Sequence, residues 1–292
     1  MAVGDVNPGY MGYAQIGTGN ALRFTDASIS AKQGVNIPDI VMGHWDHDAY
    51  VFDKIEIGGS ISGPVTETFA AGAGSVWEWA VKRSGTCGAL TPQDVTLYYY
   101  CGTSGNNRLF PNMRVNSMTF SCAAGDIAQF SLDVLGAEEP SWGGSWTVND
   151  VVEKLITWDQ TSIIVTAGDE SIGTLDSEAV SNFTFTINNN IQTVYAIGNG
   201  GTALNNLYPY DLVPGLRGVT GSLSVYNLPQ VAGFDKWSDY AADQMGSMQF
   251  NIGATQFTMK CRFHRVEPAL GVGPIMSTVA FTGVGVQTTF DA

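Results

Sequence analysis

Short runs in which apolar and polar residues alternate dominate the pattern of this chain. In the run VFDKIEIGGSISGPV, Ile55, Ile57 and Ile61 fall on one side of an extended chain, opposite Lys54 and Glu56. A period of two predicts strands that bury one face. We expect such strands at Ala21–Lys32, Val51–Val65, Val95–Cys101, Val115–Cys122, Ile127–Leu135, Ile163–Thr166, Ser181–Ile187, Gly218–Tyr226, Met248–Ile252, Phe257–Val266 and Pro274–Gly285. Helical spacing predicts two short helices, Ser75–Arg83 and Gly233–Gln244.

Part of this pattern occurs twice. Gly59–Ser62 (GSIS) recurs as Gly221–Ser224 (GSLS), a shift of 221 − 59 = 162 residues. Ile127–Gly136 resembles Met276–Gly285, a shift of 276 − 127 = 149 residues. Because both shifts are near half of the 292 residues, we interpret the chain as a duplicated β domain. A single large sandwich is the alternative.

The repeat divides the chain into two halves. We place the first domain at residues 1–145, with an N-terminal arm and a linker at about 137–150, and the second at 151–292. Each half contains one predicted helix and one outsized loop, at 33–50 and 188–214. Loops of that length are usually functional or interfacial.

The polar sides of the repeated strands carry mainly Ser, Thr and acidic residues. A solvated sheet would more often present long Lys, Arg and Glu side chains there. We therefore interpret this side as a smooth surface with few cationic anchors. Its candidate residues are Glu56, Ser60, Gln129, Ser131, Asp133, Thr220, Ser222, Ser224, Thr278 and Thr282.

The overall charge argues against one class of function. The chain has 13 Lys and Arg against 27 Asp and Glu, a formal net charge of −14. This acidity argues against ordinary nucleic-acid binding, which depends on clustered cations. No segment approaches the roughly 20 apolar residues of a membrane span, so we expect no stable membrane insertion. The N-terminus also lacks the basic and apolar regions of an export signal.

The four cysteines, Cys87, Cys101, Cys122 and Cys261, form no CxxC pair. We expect free thiols, as in a reducing cytoplasm. A cross-strand disulfide between Cys101 and Cys122 is the alternative.

The sharpest chemical cluster is His44-Trp45-Asp46-His47-Asp48, inside the first long loop. Imidazole and carboxylate groups can ligate Zn²⁺. The spacing, however, matches neither HxHxDH nor HExxH, and no further cluster completes a site. We therefore expect a solvated or subunit-contacting loop, and a non-enzyme without catalytic residues, metal or cofactor. A metal-dependent hydrolase using His44, Asp46, His47 and Asp48 is the alternative from another functional class.

The second half contains a more specific pattern. A strand with Phe183 and Phe185 ends in Asn188–Asn190, and a segment with Pro214, Gly215 and Arg217 precedes Gly221-Ser222-Leu223. This arrangement resembles the major tail tube proteins of long-tailed bacteriophages. The first half lacks the Asn run and the Pro-Gly-Arg segment, so the resemblance reaches it only through the repeat.

The resemblance implies an all-β fold of two tandem sandwiches, each with one short helix, whose inner sheets join into an oligomeric β-barrel. It implies three copies in a pseudo-sixfold ring, and stacked rings that form the tube through which DNA is ejected. The candidate polar residues would then face the lumen. The long loops would contact other subunits or rings through Asp39, His44, Trp45, Asp46, His47, Tyr195, Asn205, Tyr208 and Tyr210.

The same resemblance implies a virion tail component assembled in the host cytoplasm. Expected partners are further copies of the chain, sheath, tape-measure, baseplate and neck proteins, and phage DNA in transit without specific binding. A baseplate hub or distal tail ring protein of the same fold is the nearest alternative. A secreted β-sandwich adhesin or surface-layer protein is a third.

Overall fold

The structure is a computed structural model. It describes residues 13–17, 21–22, 24–36, 51–67, 76–81, 83–84, 89–98, 107–143, 154–167, 180–196, 207–226, 245–252, 255–264 and 276–283. The strands are β1 (Tyr13–Ile16), β2 (Ala21–Leu22), β3 (Asp26–Ala27), β4 (Ser30–Asn36), β5 (Val51–Pro64), β6 (Arg83–Ser84), β7 (Ala89–Leu90), β8 (Gln93–Tyr98), β9 (Asn107–Ala123), β10 (Gln129–Gly136), β11 (Ser141–Trp142), β12 (Thr161–Ala167), β13 (Val180–Asn188), β14 (Gln192–Val194), β15 (Asp211–Val213), β16 (Gly218–Tyr226), β17 (Met245–Ile252), β18 (Thr255–Phe263) and β19 (Met276–Gly283). Helix α1 spans Val76–Val81, and a 3-10 turn spans Trp158–Gln160.

Antiparallel pairing joins most strands into one extended sheet. Its main path runs β12-β17-β18-β19-β16-β13-β9-β10-β5-β3. β3 and β4 lie along the same edge of β5 in one register, since Asp26 pairs with Ser62 and Ser30 with Gly58. They therefore form one interrupted strand, and we call its residues 26–33 the β3–β4 edge.

Strand β9 belongs to two layers. Its first part pairs with β8 and β11, and its second part pairs with β10 and β13. The change occurs near Pro111 and Asn112, where Asn112 adopts a φ of 49°. Proline cannot donate a ladder hydrogen bond and Asn tolerates positive φ, so this pair is suited to a bend.

The same chain of antiparallel pairings occurs in both halves. The first half contains the path β1-β8-β9-β10-β5-β4. The second contains β12-β17-β18-β19-β16-β13. The β9–β13 pairing joins the two paths, so the sheet continues across the predicted boundary between residues 145 and 151.

The apolar core lies behind this sheet. Phe120 stacks on Phe183 and Phe185, with ring centroids 5.7 and 5.6 Å apart, and Phe250 packs on Phe185 at 4.7 Å. Helix α1 covers the first half through Trp79, whose indole N–H donates to the Met113 carbonyl at 3.2 Å. Aromatic pairs of this kind add to the stabilisation from burial alone.

The described residues confirm the prediction of an almost entirely β fold with antiparallel strands. The predicted strands Ala21–Lys32 and Val51–Val65 are present and pair with each other, through β3, β4 and β5. The described strands of one chain do not close into a barrel. α1 confirms the first predicted helix, whereas Gly233–Gln244 lies outside the described residues. The two-domain division stays a prediction.

Candidate assembly surfaces

The polar face of the sheet carries all ten candidate lumen residues, and each is at least partly exposed. Their neighbours along the strands, such as Ile61, Leu132 and Leu223, are fully buried. Small polar groups interact across this face: Thr119 and Thr186 hydroxyls lie 2.9 Å apart, and Asn116 donates to Asp133 at 2.8 Å. The alternation thus produces one apolar and one polar side over neighbouring strands of both halves.

The polar face is more cationic than the repeated strands alone suggest. Lys32 on β4 and Lys260 and Arg262 on β18 are exposed there, in addition to the predicted residues. Lys54 lies on the same face, and its Nζ lies 2.8 Å from Glu56 Oε1, a contact that raises the pKa of Lys54. Lys32 is the cross-strand neighbour of the same Glu56. The alternation already predicts Lys54 on this face. It does not predict Lys32, Lys260 or Arg262 there, because no face is assigned to Phe257–Val266 or to the end of Ala21–Lys32.

The two halves meet where β13 pairs with β9. We call this contact the β9–β13 junction; it consists of seven residue pairs from Asn182 opposite Ala123 to Asn188 opposite Ser117. The aromatic stack of Phe120 with Phe183 and Phe185 lies beneath it. The junction therefore combines a backbone ladder with an apolar core.

A buried polar network locks this junction to helix α1. Asn189 is 0% exposed, and its Nδ2 donates to the carbonyls of Ala80 at 3.0 Å and Val115 at 2.9 Å. Arg217 Nε donates to Asn189 Oδ1 at 3.0 Å, and its Nη2 donates to the Val81 carbonyl at 2.5 Å. Ala80 and Val81 end a helix whose last carbonyls lack helical partners. Second-half side chains thus cap a first-half helix, and we call this network the Asn189–Arg217 clamp.

The rest of the Asn and Pro-Gly-Arg pattern supports the clamp. Asn190 has a φ of 49°, and its side chain donates to the Leu216 carbonyl at 2.6 Å. A Cβ on Gly215 would lie 2.6 Å from the Asn190 carbonyl oxygen, so only glycine fits there. The pattern therefore forms one local structure that holds Asn189 and Arg217 in place.

Part of the second long loop forms an arm over the first half. β14 and β15 pair as a short hairpin. On one side of this arm, Tyr195 donates its hydroxyl to the Ile55 carbonyl at 3.0 Å, and Lys54 lies 5.2 Å from the Tyr195 ring centroid. On the other side, Arg114 pairs with Asp211 at 3.2 Å and also donates to the Leu212 carbonyl.

Of the nine candidate loop residues, three are described. Tyr195 and Tyr208 are partly buried within the chain, and Tyr210 is 60% exposed. Asp39, His44, Trp45, Asp46, His47 and Asn205 lie outside the described residues. Whether the long loops contact other copies stays a prediction.

Two cysteines are described, and both are free and buried. Burial raises the pKa of Cys261 to about 12 and also raises that of Cys122. A thiol with a raised pKa holds little reactive thiolate near neutral pH. Cys87 and Cys101 lie outside the described residues.

The described part of the chain contains no group of three or more His, Cys, Asp or Glu side chains that could hold a metal ion. The cluster of His44, Asp46, His47 and Asp48 lies outside it, so the structure leaves the hydrolase hypothesis untested. Among the described helices, none has the length and apolar character needed to cross a membrane.

One family of known proteins matches most of the chain. A search of curated proteins returned no significant match. A family model described as phage tail tube protein matches residues 13–283, which include both halves, the β9–β13 junction and the Asn189–Arg217 clamp. The chain therefore belongs to the phage tail tube protein family.

Proposed function

We propose that this protein builds the phage tail tube as stacked rings of three copies, each copy supplying two equivalent tube domains. The observation that carries the proposal is the sheet that runs through both halves with one polar face. Family membership supports a structural component of the virion tail. The ring, its symmetry and the passage of DNA are the proposed part.

Matching contacts in the two halves support the duplication. A Cβ on Gly136 would lie 2.9 Å from Ile57 Cγ2, and a Cβ on Gly283 would lie 2.8 Å from Val219 Cβ. The shifts are 283 − 136 = 147 and 219 − 57 = 162 residues. The second equals the shift of the GSIS repeat. The shift of 147 is two residues shorter than the 149 obtained by aligning the sequences of Ile127–Gly136 and Met276–Gly285. The strand register therefore corrects that alignment by two residues.

Sheet geometry supports a tube of useful width. Each chain offers eight strands in a row, namely β18, β19, β16, β13, β9, β10, β5 and the β3–β4 edge. Three chains then supply 3 × 8 = 24 strands. At a spacing of about 4.8 Å and a tilt of about 40°, such a barrel measures about 48 Å between opposite backbones. Side chains on the inner face still leave room for a DNA duplex.

The polar face is suited to line this channel. Ser and Thr side chains bind phosphate weakly, and Asp133 and Glu56 repel it. Lys54 and Lys32 lie next to Glu56, and the exposed cations of β18, Lys260 and Arg262, are few against the hydroxyl and acidic side chains of this face. DNA in such a lumen would move without specific binding, because strong phosphate affinity requires clustered cations.

Electron microscopy of the purified protein tests the proposal. We expect rings or open-ended tubes with a central hole, and threefold features in ring averages. A protein that stays monomeric at all concentrations and ionic strengths would contradict it. A single ring per virion, measured by quantitative mass spectrometry of particles, would replace the tube with a baseplate hub or distal tail ring. Stoichiometric metal in elemental analysis would instead favour the hydrolase.

A further inference from the structure

The β3–β4 edge holds the position in the first half that β13 holds in the second. β4 pairs with β5 as β13 pairs with β16: Lys32 lies opposite Glu56, and Asn188 lies opposite Gly218. The shift from Glu56 to Gly218 is 218 − 56 = 162, the value of the GSIS repeat. The outer side of β13 is covered by β9. Among the described residues, no strand covers the outer side of the β3–β4 edge.

Backbone groups on this edge point outward at alternate residues. Ser28 N–H donates inward to the Ser60 carbonyl at 2.9 Å, so even-numbered residues bond to β5 and Ala31 and Gln33 face away. Because Lys32 corresponds to Asn188, the shift between the two strands is 188 − 32 = 156 residues. The counterpart of Gln33 is therefore Asn189, since 33 + 156 = 189. Asn189 N–H donates to the Asn116 carbonyl of β9 at 2.7 Å. The edge thus presents the hydrogen-bonding pattern that the β9–β13 junction uses.

The matching surface lies at the end of β18. β18 pairs with β19 as β9 pairs with β10, and the pairing continues to His264, whose N–H donates to the Ala280 carbonyl at 2.8 Å. Ala280 corresponds to Asp133 (280 − 133 = 147), and Asp133 pairs with Ser117. His264 is therefore the counterpart of Ser117. In the described part of the chain, the other edge of β18 is paired only as far as Arg262, opposite Met245.

We propose that a second copy of this chain docks on the β3–β4 edge through the end of its β18. The register places Lys32 opposite His264 of the other copy, as Asn188 lies opposite Ser117 within one chain. This inference rests on the proposed ring and identifies the two edges that close it.

Cysteine cross-linking tests the register. Lys32 points its backbone groups toward β5, so its pair with His264 is non-hydrogen-bonded, with Cα atoms about 4.5 Å apart and within reach of a disulfide. In assembled protein carrying Lys32→Cys and His264→Cys, we expect oxidation to give covalent dimers and trimers on non-reducing gels. Each single variant should give none. As a matched control, Asn188→Cys with Ser117→Cys should form its disulfide within one chain.

A second variant tests the edge itself. Ala31→Pro removes an outward N–H for which the described residues supply no acceptor, so we expect folded monomers that no longer form rings. Ala31→Val keeps the N–H and should still assemble. If Ala31→Pro fails to fold, the cross-link decides.

The outcomes separate this inference from the function on which it rests. Wild-type rings without the Lys32–His264 cross-link, or Ala31→Pro rings like those of wild type, would overturn the docking edge and leave the tube function standing. The absence of any wild-type assembly would overturn both. Covalent trimers from the double variant alone would establish the contact.

Discussion

The β9–β13 junction and the β3–β4 edge occupy matching places in the two halves. Within the part of the chain that the structure describes, the junction has a strand on both sides, whereas the β3–β4 edge is paired on one side only. At the junction, seven residue pairs are backed by stacked phenylalanines and fastened by Asn189 and Arg217. At the edge, the counterpart of Asn189 is the exposed Gln33. The Asn and Pro-Gly-Arg pattern therefore serves a contact within the chain, and the first half, whose described edge makes no such contact, lacks the pattern.

A side chain at Gly221 on β16, the strand that pairs with β13, should reduce stability more than any other change considered. A Cβ on Gly221 would lie 2.3 Å from the Phe281 ring and 2.5 Å from the Thr184 carbonyl oxygen. We expect Gly221→Val to lower the free energy of unfolding by more than about 4 kcal/mol, or to prevent folding. Gly218→Ala is the matched control, since a Cβ there meets nothing within 4 Å. Urea denaturation measures both, and a Gly221→Val protein as stable as Gly218→Ala would refute the close packing.

The second-largest loss of stability should come from a change in the Asn189–Arg217 clamp. Asn189→Ala removes the buried amide that accepts from Arg217 Nε and donates to the carbonyls of Ala80 and Val115, so we expect a loss of about 3 kcal/mol in the free energy of unfolding. Gln33→Ala, at the exposed counterpart, should change it by less than about 0.5 kcal/mol. Equal losses at the two positions would remove the distinction between junction and edge.

A small effect is expected at the Lys54–Glu56 pair. Both side chains are at least half exposed, so water and salt screen their attraction. We expect Lys54→Ala to shift the melting temperature by no more than about 1 °C. A shift as large as that of Asn189→Ala would mean that the Lys54 contact with Tyr195 holds the arm in place.

The rates at which the two described thiols, Cys122 and Cys261, are alkylated measure how well the junction and the proposed docking end are protected. Cys122 pairs with Phe183 at the junction, and Cys261 lies on β18 near the proposed docking end. Alkylation requires the thiolate, and burial raises the pKa of Cys261 to about 12. Its rate should therefore rise about tenfold per pH unit above neutrality until that value is reached.

Peptide mass spectrometry resolves the labelling site by site. We expect ring assembly to slow the labelling of Cys261 more than that of Cys122, since only the β18 end gains a new partner. Equal protection of both thiols would place the assembly contact elsewhere.

Strand positions and faces follow from the alternation where one face is buried. The polar and apolar sides around Ile61, Leu132 and Leu223 are as the pattern predicts, because a one-residue slip would bury the wrong set. β9 is longer than predicted, since Pro111 and Asn112 interrupt the alternation at the bend where the strand changes layers.

The contacts between halves could not be predicted in the same way. The Asn run is typical of a turn, and nothing local indicates that Asn189 is fully buried against a helix more than a hundred residues away. A strand's pattern identifies its buried face but not its neighbour, so the β9–β13 pairing depends on tertiary structure. A signal did exist: an arginine close after the Pro-Gly pair needed an acceptor, and the Asn run could supply one.

The peptide link between the halves makes the β9–β13 contact independent of protein concentration. The two edges that meet there are tethered, so they find each other at a high effective concentration, while any contact between separate molecules forms at a rate that depends on dilution. Even in a dilute solution, each molecule should therefore have its β9–β13 contact already formed. In the proposed ring, three such molecules make three contacts with one another, where six single domains would make six. Each molecule has two unlike edges, so in that ring the molecules add to one another in a single direction.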